Sequence, residues 1–235
     1  MPRRHARTTG TAAPAPRAPQ TGARILVTGF EPFAGAAVNA SQAAVRLLPA
    51  CIAGAAVLCE TLPTAFDQAL KRLAVLIARE APTHVLCVGE AGGRSALSVE
   101  RVAINVNDAR IADNAGRQPI DTPVVIGGPA AYFATLPIKA MVAAMHAAGL
   151  PAAISNSAGT YVCNHVFYGL LHLAATRHAG LRAGFIHVPC LPAQAADTRD
   201  MPSMAESEIA RGLEAAIHAA LTVEHDLAVT GGTEA

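Results

Sequence analysis

The chain has 235 residues, of which 52% are hydrophobic and 15% are charged, and its formal net charge is +1. This length and composition suit one well-filled core, so we expect a single folded domain. A net charge near zero leaves no excess of lysine and arginine to neutralise phosphates, which argues against nucleic acid or an acidic membrane as a partner. No apolar run of the sequence reaches the length of a membrane span.

The five cysteines are odd in number and lack framework spacing, which is typical of a protein kept in the reducing cytoplasm. Without a C-x-x-C motif, the sequence offers no obvious ligands for a structural zinc ion. We predict a disordered N-terminal extension over residues 1–23, because its Pro-rich composition cannot build a core. The folded domain is then expected over residues 24–225, followed by a flexible tail over 226–235.

Strand-like apolar runs alternate with amphipathic helical patterns along the chain. The runs cover residues 24–30, 55–59, 84–89, 152–154 and 183–189. This alternation predicts an α/β sandwich with mainly parallel strands, in which sites form beyond the carboxyl ends of strands. Two capping-box patterns, Thr64-x-x-Asp67 and Ser203-x-x-Glu206, predict the starts of two of the helices.

Residues 98–106 have strand character, and a period of two places Glu100 on the same face as the apolar residues of the run. If that face is buried, a cation or a histidine should lie against the carboxylate, because an unpaired buried charge is costly. The alternative is an exposed glutamate at the start of an edge strand. The turn-forming residues 107–116 predict an ordered or gating loop near the site.

The segment 155–165 contains a candidate nucleophile. A strand-like run breaks there into small polar residues and Gly159, and the chain turns helical from about Cys163. Because free backbone N–H groups and the positive end of the helix dipole favour a thiolate, a nucleophile can be made at Cys163. The alternative is a small buried residue at a strand–helix junction.

A cysteine nucleophile needs a base and a group that orients the base. His187 ends the last predicted strand on the side of the sheet where the Cys163 helix begins, so we prefer it as the base, with Glu100 as the orienting carboxylate. His165 lies two residues from Cys163, and in a helix its ring points away from the thiol. His165 is therefore better explained by packing.

Two arginines are candidates for stabilising an oxyanion, and two phenylalanines are candidates for lining a ligand pocket. Arg94 or Arg110 can polarise a developing oxyanion, and spacing does not choose between them. Phe30 and Phe33 flank the loop after the first strand in a chain with only 4% aromatic residues. They either cap the core or wall an apolar ligand pocket.

Several sequence blocks occur in one order along the chain: 27–33 (VTGFEPF), 89–94, 100–105 (ERVAIN), 109–111, 158–165 (AGTYVCNH) and 184–189 (GFIHVP). Together they resemble the pyrrolidone carboxyl peptidases, or type I pyroglutamyl peptidases, which are cysteine peptidases that remove N-terminal pyroglutamate. The resemblance spans roughly residues 24–221. It implies a phosphorylase/hydrolase-like α/β/α sandwich with a mixed, largely parallel sheet, no metal or other cofactor, and a homotetramer.

The resemblance also implies roles for individual residues. Its catalytic positions match Glu100, Cys163 and His187, and the oxyanion position matches Arg110. The positions that enclose the pyroglutamyl ring match Phe30, Phe33, Thr64, Ile111, Tyr161 and Val162. Glu90 stands beside the ring-recognition loop where the family commonly has Gln, so its carboxylate either alters ring binding or stays solvated.

The resulting hypothesis is a cysteine exopeptidase that acts on peptides or proteins with N-terminal pyroglutamate through a thioester. Two alternatives remain open. A nucleoside phosphorylase-like enzyme would use residues 92–94 as a phosphate cradle, require phosphate and tolerate the loss of Cys163. A non-catalytic binder of blocked N-termini would keep the pocket but have an impaired triad.

Overall fold

The computed structural model describes residues 22–196 and 198–232, so most of the predicted N-terminal extension, residues 1–21, lies outside the described residues. The elements in chain order are β1 (Arg24–Phe30), α1 (Ala40–Val45), β2 (Cys51–Ile52), β3 (Ala55–Leu62), α2 (Phe66–Glu80), β4 (His84–Glu90), β5 (Leu97–Glu100), β6 (Val102–Ile104), β7 (Ala131–Phe133), α3 (Ile138–Ala147), β8 (Ala152–Ser155), α4 (Val162–Thr176), β9 (Arg182–Val188), α5 (Pro192–Ala195) and α6 (Glu206–Thr222).

The main sheet has seven strands in the order β2-β3-β1-β4-β9-β5-β8. Its centre is parallel, since β1 pairs with β3 and β4, and β4 pairs with β9. Towards the edges the direction changes: β2 is antiparallel to β3, and β5 is antiparallel to β9 but parallel to β8. The predicted mixed, largely parallel sheet is confirmed.

Helices cover both faces of this sheet. Along β1, Ile25 and Val27 face a core cluster that includes Met141 of α3, whereas Leu26 faces a second cluster that includes Leu73 of α2. This alternation is the period-two pattern of a strand buried on both sides. The result is the predicted α/β/α sandwich. Among the described residues, no helix combines the length and apolar character needed to span a membrane.

The prediction of one continuous strand over residues 98–106 is wrong. β5 belongs to the main sheet, and β6 belongs to a separate two-stranded sheet with β7. The break falls at Arg101, whose N–H donates to Ser155 O (2.8 Å) and whose carbonyl accepts from Ala134 N–H (2.9 Å). These long-range partners redirect the chain directly after Glu100, which ends β5 inside the core.

The capping box predicted at Thr64-x-x-Asp67 is also wrong. α2 begins at Phe66, whose N–H donates to Asp113 Oδ2 at 2.9 Å. The Thr64 hydroxyl donates instead to the carbonyl of Glu31 at 2.7 Å. A carboxylate from a distant loop therefore occupies the helix N-terminus, so the local cap is unnecessary.

The last helix begins later than its sequence pattern predicts. α6 starts at Glu206 after an extended Ala205, so Ser203 is not its cap. Ser203 forms an isolated parallel bridge with Cys190. This pairing holds the backbone extended where a capping box would require the helix to begin.

Part of the predicted flexible tail contacts the rest of the fold. The Asp226 carboxylate accepts hydrogen bonds from the N–H groups of Lys139 (3.1 Å) and Ala140 (2.9 Å) at the start of α3. Farther along, the carbonyl of Gly231 accepts a hydrogen bond from Arg101. The flexible tail over 226–235 stays a prediction: Asp226 and Gly231 hydrogen-bond to the body of the fold, and residues 233–235 lie outside the described residues.

Candidate active site

Glu100 and His187 form a direct pair in the interior. His187 Nδ1 lies 2.7 Å from Glu100 Oε1, Glu100 is 0% exposed and His187 is 4% exposed. The sheet register produces this pair, because Ser98 lies opposite His187 in the antiparallel β5–β9 ladder and Glu100 is its diagonal neighbour on the same face. With Nδ1 donating to the carboxylate, Nε2 is the ring nitrogen available as a base.

Arg94 is the second partner of this carboxylate. Its Nη1 donates to Glu100 Oε1 at 2.8 Å, and its Nη2 donates to the carbonyl of Ser157 at 3.1 Å. The expectation that a buried Glu100 would need a cation or a histidine is confirmed, since it has both. The alternative of an exposed glutamate is wrong.

Cys163 is the second residue of α4 and is half-buried. Its thiol packs against Gly89 at the end of β4: a Cβ built on Gly89 would lie 2.8 Å from Sγ. Gly89 is paired with His187 across the β4–β9 ladder. The thiol therefore lies over the strand pair that carries His187, in a space that only a glycine leaves open. Sequence reasoning missed this role of Gly89.

The surroundings of Cys163 and His187 disfavour the charged form of both side chains. Burial, together with a smaller contribution from the nearby Glu100 carboxylate, raises the pKa of Cys163 to about 12. Burial lowers the pKa of His187, and the Glu100 carboxylate opposes that shift. The helix N-terminus alone favours a thiolate, whereas loss of solvation shifts the pKa of Cys163 in the opposite direction.

Aromatic rings gather next to the nucleophile. Tyr161 packs edge-on against Phe66 with ring centroids 5.4 Å apart and lies 6.3 Å from Phe33. Phe30 is buried and lies 6.3 Å from Phe185. The structure thus brings Phe33 and Tyr161 together, and their role in a ring pocket stays a prediction. Phe66 was not singled out in the sequence, because it reads there as an ordinary core residue of α2.

The 107–116 loop lies against this aromatic cluster, as predicted. The Tyr161 hydroxyl donates to the carbonyl of Ala112 (3.1 Å), and the Asn114 N–H donates to the carbonyl of Thr64 (3.0 Å). Ile111, half-buried in the same loop, directly precedes Ala112. Val162 follows Tyr161 and is fully buried.

Asp113 organises this loop and was missed in the sequence. Its side chain is buried, Oδ2 caps α2, and Oδ1 accepts from the N–H groups of Ala115 (2.9 Å) and Arg117 (2.8 Å). The Asp-Asn-Ala-Gly turn is the signal that could have found it, because Asp often accepts from backbone N–H groups ahead of it.

Arg110 and His165 lie apart from the Glu100–His187 pair. Arg110 is exposed, and in the part of the chain that the structure describes its side chain has no hydrogen bond to the triad residues. Its oxyanion role stays a prediction. His165 is buried, with Nδ1 3.0 Å from Asn107 Oδ1 and its ring edge-on to Phe66, which agrees with a packing role.

Glu90 is half-buried, and both of its carboxylate oxygens accept hydrogen bonds. Its Oε2 accepts from Ala40 N–H at 2.7 Å and from Gln194 Nε2 at 2.9 Å. Its Oε1 accepts from Gln194 Nε2 at 3.1 Å and from Cys190 Sγ at 3.7 Å. Glu90 therefore joins the end of β4 to the start of α1 and to α5, and the expectation of a solvated carboxylate is wrong.

Residues 22–196 and 198–232 contain no group of three or more His, Cys, Asp or Glu side chains placed to hold a metal ion. All five cysteines are free thiols.

Known proteins resemble this chain over nearly its whole described length. Pyrrolidone-carboxylate peptidase 1 of Ralstonia nicotianae is 54% identical over 209 residues, covering 88% of this chain and 97% of that protein. The pyrrolidone-carboxylate peptidase of Cupriavidus necator is 54% identical over 210 residues, with 88% and 97% covered.

Solved structures show the same fold. Pyroglutamyl peptidase I from Bacillus amyloliquefaciens superimposes with a TM-score of 0.85 at 43% identity, covering 89% of this chain and 100% of that one. A mutant pyrrolidone carboxyl peptidase from Pyrococcus furiosus gives a TM-score of 0.81 at 43% identity, with 84% and 98% covered.

These similarities and the site geometry bear on the hypotheses drawn from the sequence. The nucleoside phosphorylase-like alternative loses its support, because Arg94 of its supposed phosphate cradle is bound to Glu100. The resemblance carried by the sequence blocks is confirmed. Because the family model described as pyroglutamyl peptidase matches residues 23–223, the chain belongs to the pyroglutamyl peptidase family.

Proposed function

We propose that this chain is a cysteine exopeptidase that hydrolyses the amide bond after an N-terminal pyroglutamyl residue. Cys163 is the nucleophile, His187 the base and Glu100 the group that orients the base. The observation that carries the proposal is the buried Glu100–His187 hydrogen bond of 2.7 Å, on the strand pair against which the Cys163 thiol packs. Membership of the pyroglutamyl peptidase family supports the same assignment.

The reaction begins from a neutral pair. As Cys163 Sγ attacks the pyroglutamyl carbonyl carbon, its proton passes to His187 Nε2, and Glu100 stabilises the imidazolium that forms. The imidazolium then donates this proton to the leaving amine while the C–N bond breaks, which leaves a thioester on Cys163. Water gives a proton to His187 as its oxygen attacks the thioester carbon. The C–S bond then breaks to release pyroglutamate, and the imidazolium returns the proton to the Cys163 sulfur.

The oxyanion of each tetrahedral intermediate needs donors. The first N–H groups of α4 have no intrahelical partners and lie beside Cys163, the second residue of the helix. We assign the oxyanion primarily to these N–H groups, with Arg110 as the further candidate implied by the family resemblance.

The pyroglutamyl ring is an uncharged lactam with an apolar edge. A pocket formed by Phe30, Phe33, Thr64, Ile111, Tyr161 and Val162 suits it, because a charged free glutamate would have to be desolvated there. The contact between Phe33 and Tyr161 supports this pocket. Glu90 contributes through its backbone and through the α1 contact of its side chain.

The direct test is release of a fluorogenic amine from its pyroglutamyl amide by the wild-type chain and by Cys163→Ala and Glu100→Gln. We expect wild-type activity that is resistant to chelators and independent of phosphate. Cys163→Ala should lose activity by a factor on the order of 10⁴ or more. Full activity in Cys163→Ala would overturn the mechanism. Binding of pyroglutamyl peptides without turnover by the wild-type chain would favour the non-catalytic binder.

We also propose a homotetramer that resides in the cytoplasm. The segment between β6 and β7 exposes Ile120 and Ile126, the latter 91% exposed, and Phe133 of β7 is exposed as well. Such side chains favour burial between subunits. Five free thiols, including the nucleophile, favour a reducing compartment. Light scattering should give four times the chain mass of 24.0 kDa, and a monomeric mass would overturn the assembly.

A further inference from the structure

We propose that Arg94 is a positioning residue of this active site: its guanidinium tethers the Glu100 carboxylate to the loop that leads into the nucleophile. The inference rests on the proposed triad, since Arg94 acts on His187 through Glu100. It also reassigns Arg94, which the sequence offered as an oxyanion donor.

Two hydrogen bonds from the forked guanidinium of Arg94 carry the proposal. Nη1 of Arg94 donates to Glu100 Oε1 at 2.8 Å and Nη2 donates to Ser157 O at 3.1 Å. Ser157 belongs to the 156–161 loop, which connects β8 to the α4 helix that bears Cys163. A guanidinium is planar and rigid, so its two bonds set the carboxylate and the loop relative to each other.

The carboxylate itself has little else to orient it. His187 and Arg94 both donate to Oε1, whereas Oε2 is buried and has no hydrogen-bond partner among the described residues. Without Arg94, one hydrogen bond would hold a carboxylate that is 0% exposed. Loss of Arg94 would therefore leave His187 as the one described side chain that fixes the orientation of this carboxylate.

The charges around the reactive pair set the expected direction of a pH effect. His187 faces the Glu100 carboxylate, which favours its protonation, and the Arg94 cation, which opposes it. Cys163 senses the carboxylates of Glu100 and Glu90, which favour the thiol, and Arg94, which favours the thiolate. Removal of Arg94 should therefore raise the pKa of His187 and of Cys163 together.

The test compares Arg94→Gln and Arg94→Lys with wild type, using Arg211→Gln on the exposed face of α6 as the matched control. We expect Arg94→Gln to lower kcat about 10- to 100-fold with KM within about 3-fold, because positioning affects the transition state more than ring binding. The acidic limb of the kcat/KM profile should move to higher pH. Arg94→Lys should recover part of kcat, because it keeps the charge without the fork.

A double-mutant cycle separates action through Glu100 from an independent oxyanion role. If Arg94 acts through Glu100, Arg94→Gln should add less than about 3-fold to the loss already present in Glu100→Gln. Full additivity, or a wild-type kcat and pH profile in Arg94→Gln, would overturn the proposal. Cys163→Ala is assayed alongside. If it stays active, the triad fails; if it is inactive and Arg94→Gln keeps the wild-type kcat and pH profile, only this inference fails.

A second readout does not depend on turnover. Alkylation of Cys163 by iodoacetamide, followed by peptide mass spectrometry, should be slower in Arg94→Gln than in wild type at the same pH, because the thiol loses a nearby cation. If Arg94→Gln does not fold, as judged by circular dichroism, Arg94→Lys carries the kinetic test: it keeps the charge but loses the paired hydrogen bonds, so a wild-type kcat in Arg94→Lys would then overturn the proposal. Equal alkylation rates together with an unchanged kcat would contradict the proposal.

Discussion

The Cys163 thiol and the Gly89 backbone touch directly: a Cβ on Gly89 would lie 2.8 Å from Sγ and 2.9 Å from Phe185 Cζ. Gly89 is also paired with His187 across the ladder from β4 to β9. The absence of a side chain at this one position therefore allows the Cys163 thiol to approach the strand that carries His187.

Gly89→Ala should consequently displace the thiol and the Phe185 ring. We expect kcat/KM to fall about 100-fold or more, because a displacement near 1 Å at a reacting atom is enough for such a loss. Overpacking should also lower the free energy of unfolding by about 1–3 kcal/mol. The matched control is Gly232→Ala, where a Cβ meets nothing within 4 Å. Wild-type kcat/KM in Gly89→Ala would contradict the packing described.

The pH dependence of activity should reflect the lowered pKa of the proposed base, His187. His187 must be neutral to accept the thiol proton, so activity is present above its pKa and lost as the pH falls through it. Because burial lowers this pKa from 6.5, the acidic limb of kcat/KM should lie below pH 6.5. Glu100 raises the same pKa, so Glu100→Gln should move the limb to still lower pH. Profiles of kcat/KM for wild type and Glu100→Gln from about pH 4 to about pH 10 test both expectations. A wild-type acidic limb above pH 6.5 would contradict the lowered pKa of His187.

Asp113 should matter for both stability and substrate binding. Asp113→Ala removes the acceptor for the N–H groups of Phe66, Ala115 and Arg117, so the free energy of unfolding should fall by about 2–4 kcal/mol. KM should rise, because the loop that it holds contacts Tyr161. Urea unfolding and steady-state kinetics measure these effects. Asp108→Asn, an exposed change in the same loop, is the control, and equal stabilities of the two variants would refute this role.

Glu90→Gln tests whether the departure from the family pattern affects ring recognition. The carboxylate is engaged by Ala40 N–H and by Gln194. An amide at position 90 would present its own donors to the Gln194 amide, so the free energy of unfolding should fall by about 1 kcal/mol. KM for a pyroglutamyl amide should stay within about 3-fold of wild type. A tenfold change in KM with an unaltered free energy of unfolding would indicate instead that the Glu90 side chain contacts the pyroglutamyl ring.

Much of the site follows from local sequence. The glycine-ended apolar runs and the helical periods determine the α/β class, because burial on both faces of a parallel sheet requires that alternation. The blocks around Glu100, Cys163 and His187 identify the triad candidates, because those residue types are what thiol chemistry requires. The need for a partner at Glu100 also follows from the cost of a buried charge.

Other features were decided only by the tertiary structure. The break after Glu100 depends on partners at Ser155 and Ala134, and the start of α2 depends on Asp113. Neither local periodicity nor a capping pattern contains those contacts, because the partners are distant in sequence and meet only when the sheet and loops assemble.

The amino-acid sequence by itself determined the fold class and the chemical groups available for peptide hydrolysis. The tertiary structure decided which partners each carboxylate has. Glu100 is paired with Arg94, and Glu90 accepts hydrogen bonds from Gln194 and from the first N–H of α1. The assembled fold also raises the pKa of Cys163 to about 12, because desolvation depends on everything packed around sulfur and not on its place in one helix.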